Sequence, residues 1–201
     1  MRKGLLFALL VCVAVMFASG CATTSVKRMD VAEAVDLSGK WNDTDSRMVS
    51  EEMIRDCLSR PWLNAATAKS GKPPVVIVGT VVNQSREHIS TQTFTKDLER
   101  AFINSGQVDF VASKSEREEI RDERLDQAKH AAEETAKEAG QETGADYMMK
   151  GVISSITDQV EGKSVVFYQV NLELVDMKNN RKAWIGEKKI KKFVSQSRFG
   201  L

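Results

Sequence analysis

Residues 164–194 read SVVFYQVNLELVDMKNNRKAWIGEKKIKKFV, and this stretch decides the fold. Apolar side chains occupy every second position of its first half: Val166, Tyr168, Val170, Leu172 and Leu174. Because side chains alternate between the two faces of a strand, Phe167, Gln169, Asn171 and Glu173 lie on the other face. The turn residues Lys178-Asn179-Asn180 follow this strand, Ser164 to Met177, and Ala183 to Val194 forms the next one. The stretch predicts an antiparallel hairpin with one packed face and one face partly open to solvent.

The region before the hairpin predicts alternating strands and helices. Val75 to Val82 is a near-continuous β-branched run that predicts a central strand buried on both faces. Phe94, Leu98, Ala101 and Phe102 then recur at helical spacing, and Gly106 ends that helix. Val108 to Val111 is predicted as a second strand, residues 113–139 as a long polar helix, and Tyr147 to Ile156 as a third strand.

The N-terminal part predicts one further helix. Asp43, Thr44 or Asp45 is a suitable N-cap, and Pro61 ends the helix. Its apolar stripe consists of Val49, Met53, Ile54, Cys57 and Leu58. Residues 64–72 are predicted as a loop, and a short strand is predicted near Val31 to Leu37.

These elements predict a single α+β domain. From Val75 onward their order is β-α-β-α-β-β-β, which gives a mixed β-sheet with an antiparallel C-terminal meander, flanked by helices. The 181 residues that follow the first 20 are enough for one hydrophobic core.

The first 20 residues predict a lipoprotein signal peptide. Arg2 and Lys3 precede an uncharged apolar run from Leu5 to Phe17, and the small residues Ala18-Ser19-Gly20 lead to Cys21. The run is shorter than a membrane-spanning helix needs. The segment resembles a bacterial lipobox, in which Cys21 becomes the acylated N-terminus of the mature protein. Two or more acyl chains hold a protein stably on a bilayer.

Composition argues against several classes of function. Removing Arg2 and Lys3 leaves 27 basic and 28 acidic residues, a balance that does not suggest a nucleic-acid partner. With Cys12 cleaved and Cys21 lipidated, Cys57 is the remaining thiol, and its place in an apolar stripe indicates a core residue.

No catalytic or metal-binding pattern stands out, so we expect no cofactor, no metal and no small-molecule substrate. His88 and His130 lie far apart in sequence without further ligands at zinc spacing. Asp43 and Asp45 could form a carboxylate pair, but helix capping explains them. A hydrolase would have Asp43, Asp45 and Cys57 to use and little else.

Phe167 is an aromatic residue on the polar face of its strand. Phe193, across the predicted hairpin, is a candidate for the same sheet. Two aromatics beside Gln169 and Asn171 have the composition of a partner-binding surface. The alternative is a face that the N-terminal segment covers.

Four segments together carry a resemblance to a known family: residues 38–54, 73–111, 144–153 and 167–192. They include the run W-N-D-T-D-S-R from Trp41 to Arg47 and G-A-D-Y from Gly144 to Tyr147. The chain resembles the LpoB family of penicillin-binding protein activators. G-A-D-Y also recurs in the TolB N-terminal domain and in CsgG-type lipoproteins, so the resemblance implies a TolB N-terminal-domain-like fold.

The resemblance implies an outer-membrane lipoprotein that faces the periplasm and is not an enzyme. Its implied partner is a bifunctional penicillin-binding protein, bound at a regulatory domain so that glycan polymerisation is stimulated. The implied organisation is a signal peptide over residues 1–20, a tether over 21–36 and the family domain over 37–195. Ala22 after the cysteine, where Asp commonly means inner-membrane retention, agrees with export to the outer membrane.

The tether leaves a second function open. From Cys21 to Trp41 it spans roughly 70 Å when fully stretched and nearer 25 Å as a flexible coil. This modest reach favours an envelope adaptor or assembly lipoprotein near the outer membrane, closer in role to the TolB or CsgG relatives.

Overall fold

A five-stranded mixed sheet, whose core face is covered by helices, forms the domain. The computed structural model describes residues 24–31, 33–132, 134, 135, 137, 140 and 142–195. The predicted signal peptide and Cys21 lie outside these residues. A compact unit begins at Ala34.

Four helices and five strands follow one another along the described chain. The helices are α1 (Asp43–Leu58), α2 (Pro61–Ser70), α3 (Thr91–Ser105) and α4 (Lys114–His130). The strands are β1 (Val75–Asn83), β2 (Asp109–Phe110), β3 (Tyr147–Val160), β4 (Lys163–Asp176) and β5 (Lys182–Ser195). From β1 onward, this is the element order that the sequence predicts.

The strand order in the sheet is β2-β1-β3-β4-β5. β1 pairs parallel with β2 and β3, whereas β3, β4 and β5 form an antiparallel meander. The predicted α+β fold with a mixed sheet is therefore confirmed. Asn180, with φ of 61°, takes the left-handed conformation in the predicted turn between β4 and β5, a conformation that Asn tolerates.

The core lies between the helices and one face of the sheet. The alternating residues of β4 are at most 7% exposed, as predicted: Val166, Tyr168, Val170, Leu172 and Leu174. Opposite them, the predicted stripe of α1 is buried, and so are Phe94, Leu98 and Phe102 of α3. Burying each such large apolar side chain contributes about 1.5–3 kcal/mol before the cost of ordering the chain.

The predicted loop over residues 64–72 is wrong, because α2 runs from Pro61 to Ser70. Pro61 ends α1 and also begins α2, where its missing N–H costs nothing. Trp62 and Leu63 are buried and anchor α2, and Gly71 ends it in a left-handed conformation. The buried Trp-Leu pair outweighs the loop-like composition of the residues after it.

Four smaller predictions also fail. The N-cap of α1 is Asn42, one residue before the predicted candidates, and Asp45 completes a capping box with it. α4 ends at His130 rather than at residue 139; it buries no residue, so packing does not stabilise a longer helix. β2 is shortened to Asp109–Phe110, and no strand forms among the described residues between 31 and 37.

Candidate functional site: the open face of the sheet

The register of the meander places Phe167 and Phe193 on the same face, opposite the one that α1 and α3 cover. Phe193 lies directly across from Val165, and Phe167 lies across from Lys191. Directly paired residues point to the same side of a sheet, so the two aromatics are diagonal neighbours. The described N-terminal residues from Asp36 onward contact the other side, so they do not cover this face.

Three consecutive rows of this face form an apolar patch at the far end of the hairpin. The rows are Val160–Lys163–Ser195, Asp158–Val165–Phe193 and Ile156–Phe167–Lys191. Their apolar members, which we call the apolar patch, are Ile156, Val160, Val165, Phe167 and Phe193. Ile156 and Val160 are each 68% exposed, and Phe193 is 67% exposed. An exposed apolar group of this kind is typical of an interaction surface.

Polar rows follow the apolar patch along the same face. Gln169 lies between Ser154 and Lys189, and the next row places Asn171 between Val152 and Glu187. The Gln169 amide donates to Asn171 Oδ1 at 3.4 Å. The face therefore has an apolar end and a polar middle, which is the arrangement of hot-spot residues with a polar rim.

A group of ion pairs lies at the opposite end of the face from the apolar patch. Lys182 and Lys150 both contact the Glu173 carboxylate, Lys150 at 3.0 Å. The hydrogen bond from Lys182 is the main reason that the pKa of Glu173 is lowered. Ile185, 67% exposed, lies in this row across from Glu173 and is remote from the apolar patch.

A buried lysine holds the start of the domain against the other side of β5. Lys192 Nζ donates to Asp36 Oδ1 at 2.6 Å, to the Lys40 carbonyl at 3.2 Å and to Asp45 Oδ2 at 2.5 Å. Burial alone would lower the pKa of Lys192, but the hydrogen bonds to Asp36 and Asp45 outweigh it, and the pKa is raised. Residues 36–42, the N-terminal strap, are thereby tied to the strand that carries Phe193.

The N-terminal strap is also fixed through an aromatic group. Tyr168 OH donates to Glu87 Oε1 at 2.6 Å, and Glu87 Oε2 accepts the Trp41 backbone N–H at 3.1 Å. The Trp41 ring packs edge-on against Phe94 and Tyr168, with centroids 6.1 and 5.6 Å away. Gly39 has φ of 70°, and a Cβ there would lie 2.2 Å from Val194. Trp41 and Asp45, both in the run from Trp41 to Arg47, thus contact the sheet from its core side.

Cys57 and Asp45, which the sequence offered as candidates for catalysis, have contacts that stabilise the fold. Cys57 is fully buried, and burial raises the pKa of its thiol to about 12, which keeps it protonated. The Asp45 carboxylate accepts hydrogen bonds from the backbone N–H of the α1 N-cap residue Asn42 and from Lys192 Nζ. No group of three His, Cys, Asp or Glu side chains in the described part of the chain is placed to hold a metal ion. None of the helices within the described ranges combines the length and apolar character that crossing a bilayer requires.

Sequence reasoning named Phe167, Gln169, Asn171 and Phe193 but missed most of the apolar patch. The predicted third strand stopped at Ile156, whereas β3 continues to Val160 with every residue from Ile156 exposed. β3 and β4 are joined by the two residues Glu161 and Gly162, and both of these residues have positive φ.

Two solved structures are similar to this chain at low sequence identity. E. coli LpoB, solved by NMR, matches with 13% identity and a TM-score of 0.42, over 89% of this chain and 84% of that one. The Neisseria meningitidis lipoprotein GNA1162 matches with 19% identity and a TM-score of 0.39, over 63% of this chain and 88% of that one. A comparison with curated proteins finds no match.

The comparison with protein families covers most of the domain. The family described as the peptidoglycan-synthase activator LpoB matches residues 45–190, from the first turn of α1 to the middle of the edge strand β5. This span includes Phe167, Gln169 and Asn171 and ends three residues before Phe193. With more than half of its length matched, the chain belongs to the LpoB family of peptidoglycan-synthase activators.

Proposed function

We propose that this chain is an outer-membrane lipoprotein, acylated at Cys21, that binds a bifunctional penicillin-binding protein and stimulates its glycan polymerisation. Family membership supports the general role of a synthase activator. We infer the bifunctional penicillin-binding protein as the partner, the outer membrane as the location and the open sheet face as the docking surface. The observation that carries the surface is the apolar patch, in which Ile156, Val160 and Phe193 are two-thirds exposed on the face of the meander opposite the core.

The apolar patch would supply the binding energy. Aromatic side chains that become fully desolvated dominate most interfaces, and a polar rim excludes water around them. Phe167 and Phe193 fit the first role, and Gln169 and Asn171 fit the second. The long edge strand β5 presents Lys189 and Lys191 along this rim, so an acidic group on the partner would be favoured.

Activation requires more than binding. A protein that binds the resting and active synthase equally well shifts no equilibrium, so the chain must bind the active conformation more tightly. A surface on a rigid sheet, supported from behind by the N-terminal strap, is suited to this because it can select one arrangement of its partner.

The tether favours a second candidate, an envelope adaptor or assembly lipoprotein that works near the outer membrane. Asp36 is held by Lys192 and Asn42, so at most the 15 residues from Cys21 to Val35 remain as tether. Fully stretched, these span about 50 Å. A synthase in the opposite membrane would have to extend toward the domain, whereas an outer-membrane partner would not.

A reconstituted binding and activity assay separates the two candidates. The detergent-solubilised chain is mixed with a purified bifunctional penicillin-binding protein from the same organism, and binding and glycan polymerisation are measured. We expect saturable binding and a faster polymerisation rate. If the synthase neither binds nor accelerates, the activator function is wrong and the adaptor function remains.

A further inference from the structure

A polar groove lies between α1 and α3, in the helical layer on the far side of the domain from the apolar patch. Its volume is about 540 Å³, within the usual range of ligand sites. The buried side chains of Ile54 and Leu58 contribute an apolar floor, and Arg47, Arg55 and Arg100 rise around it. The synthase-binding face does not include any of these residues.

Among the described residues, two of the three guanidinium groups have no ion-pair partner. Arg100 pairs with Asp97 at 2.8 Å. Within the described part of the chain, neither Arg47 nor Arg55 has a carboxylate within 4.0 Å, although Glu51 lies one helical turn from each. The groove therefore presents two free planar forks, the groups that recognise carboxylates most specifically.

Hydrogen-bond acceptors complement the arginines. The hydroxyls of Ser59 and Ser105 line the groove and donate at 2.7 and 2.6 Å to carbonyls three residues earlier in the chain. Because their hydrogens are used in this way, their oxygens remain as acceptors, which suit the N–H groups of a peptide. Asn104 and Gln107 add amides at the rim.

We propose that this groove binds a short acidic peptide through its free carboxylates. Arg47 and Arg55 hold the carboxylates, the serine oxygens accept amide N–H groups, and Leu58 and Ala101 contact a small apolar side chain. Naming the peptide as a peptidoglycan stem peptide rests on the proposed function, since that polymer carries short peptides with free carboxylates. The groove would hold the domain on the polymer while the apolar patch remains free for the synthase.

An acidic helix of a partner protein fits the groove less well. A helix buries a continuous apolar stripe when it docks, but the apolar floor here is limited to Ile54, Leu58 and Ala101 between charged rims. A slender peptide that places its backbone against the serines matches the polar lining better.

The test is titration calorimetry of the detergent-solubilised full chain with a purified disaccharide-tetrapeptide from muramidase-digested peptidoglycan. We expect saturable binding that Arg47→Ser and Arg55→Ser each weaken about tenfold or more, as loss of a charge-assisted hydrogen bond does. Arg181→Ser, which removes an exposed arginine outside the groove, is the matched control and should bind as the unaltered chain does. The same fragment with amidated carboxylates should bind at least tenfold more weakly.

Three results would overturn the proposal: no binding of the fragment, equal binding of the amidated fragment or of inorganic phosphate, or loss of synthase binding in Arg47→Ser. The last result would assign the groove to a protein partner. Phe193→Ala should bind the fragment normally. A chain that activates the synthase but ignores the fragment refutes only this inference, and a chain that binds the fragment but not the synthase refutes only the activator function.

Discussion

Leu172 and Asn171 are neighbours in sequence that have opposite surroundings. Leu172 is 1% exposed on the core face of β4, directly across from Gly151. A Cβ at Gly151 would lie 2.5 Å from Leu172 Cδ2, so the leucine occupies the space that the glycine leaves. Asn171 points to the open face and is half-buried. This single step along the chain separates a residue that stabilises the fold from one available to a partner.

Leu172→Ala should lower the free energy of unfolding by about 2–5 kcal/mol, because it removes buried atoms and leaves a cavity. Asn171→Ala should cost less than about 1 kcal/mol. Chemical denaturation of the two variants and the unaltered chain measures both values. Equal costs would mean that the register of β4 is wrong.

At the scale of elements, α4 is attached to the domain by charges rather than by burial. None of its residues is buried, and Arg121 forms a two-point contact with Glu142 at 2.7 and 2.8 Å. At its N-terminus, Glu116 accepts a hydrogen bond from Lys96 of α3 and another, at 2.8 Å, from the Ser113 backbone N–H. These bonds lower the pKa of Glu116 to about 2.

The first turn of α4 should therefore loosen only in strong acid. The folded pKa lies below the ordinary value of 4.5, so the stabilisation is fully present above that pH and is lost as the pH falls through about 2. The Ser113 amide shift, followed by NMR, should titrate near pH 2, and Glu116→Gln should remove the transition. A midpoint near 4.5 would contradict the contact with Lys96.

The elements that the sequence predicts well are those whose own pattern carries the signal. The alternation in β4 and the helical repeat of α3 are set by local spacing, and both are confirmed. α2 was missed because two buried residues, Trp62 and Leu63, hold a segment with loop-like composition.

The site was only partly predictable for the same reason. Phe167 and Phe193 stand out in the alternation, but Ile156 and Val160 join the apolar patch only through pairing with β4. Lys192 looks like any lysine of a basic run, and its burial depends on Asp36 and Asp45, which are distant in sequence.

At the scale of the whole molecule, we propose that Cys21 attaches the protein to the membrane and that the open face of the sheet binds the partner. The described helices include none suited to spanning a bilayer, and we propose that lipid at Cys21 provides the attachment. Cys21→Ser should move the protein from the membrane fraction to the soluble periplasm, because it removes the cysteine that would carry the acyl chains. Salt-washed membrane fractions from both strains decide this. A variant that stays with washed membranes would place the anchor elsewhere.

The open face of the sheet is the centre of the functional proposal, and two residues of equal exposure on it provide the most direct test. Phe193 lies in the apolar patch and Ile185 lies near the opposite end of β5, each 67% exposed. We expect Phe193→Ala to weaken binding to the bifunctional penicillin-binding protein by about 1–3 kcal/mol, as hot-spot truncations do, with a matching loss of stimulated polymerisation. Phe167→Ala should behave likewise, and Ile185→Ala should bind as the unaltered chain does. If Phe193→Ala and Phe167→Ala bind normally while remaining folded, the open face is not the docking surface.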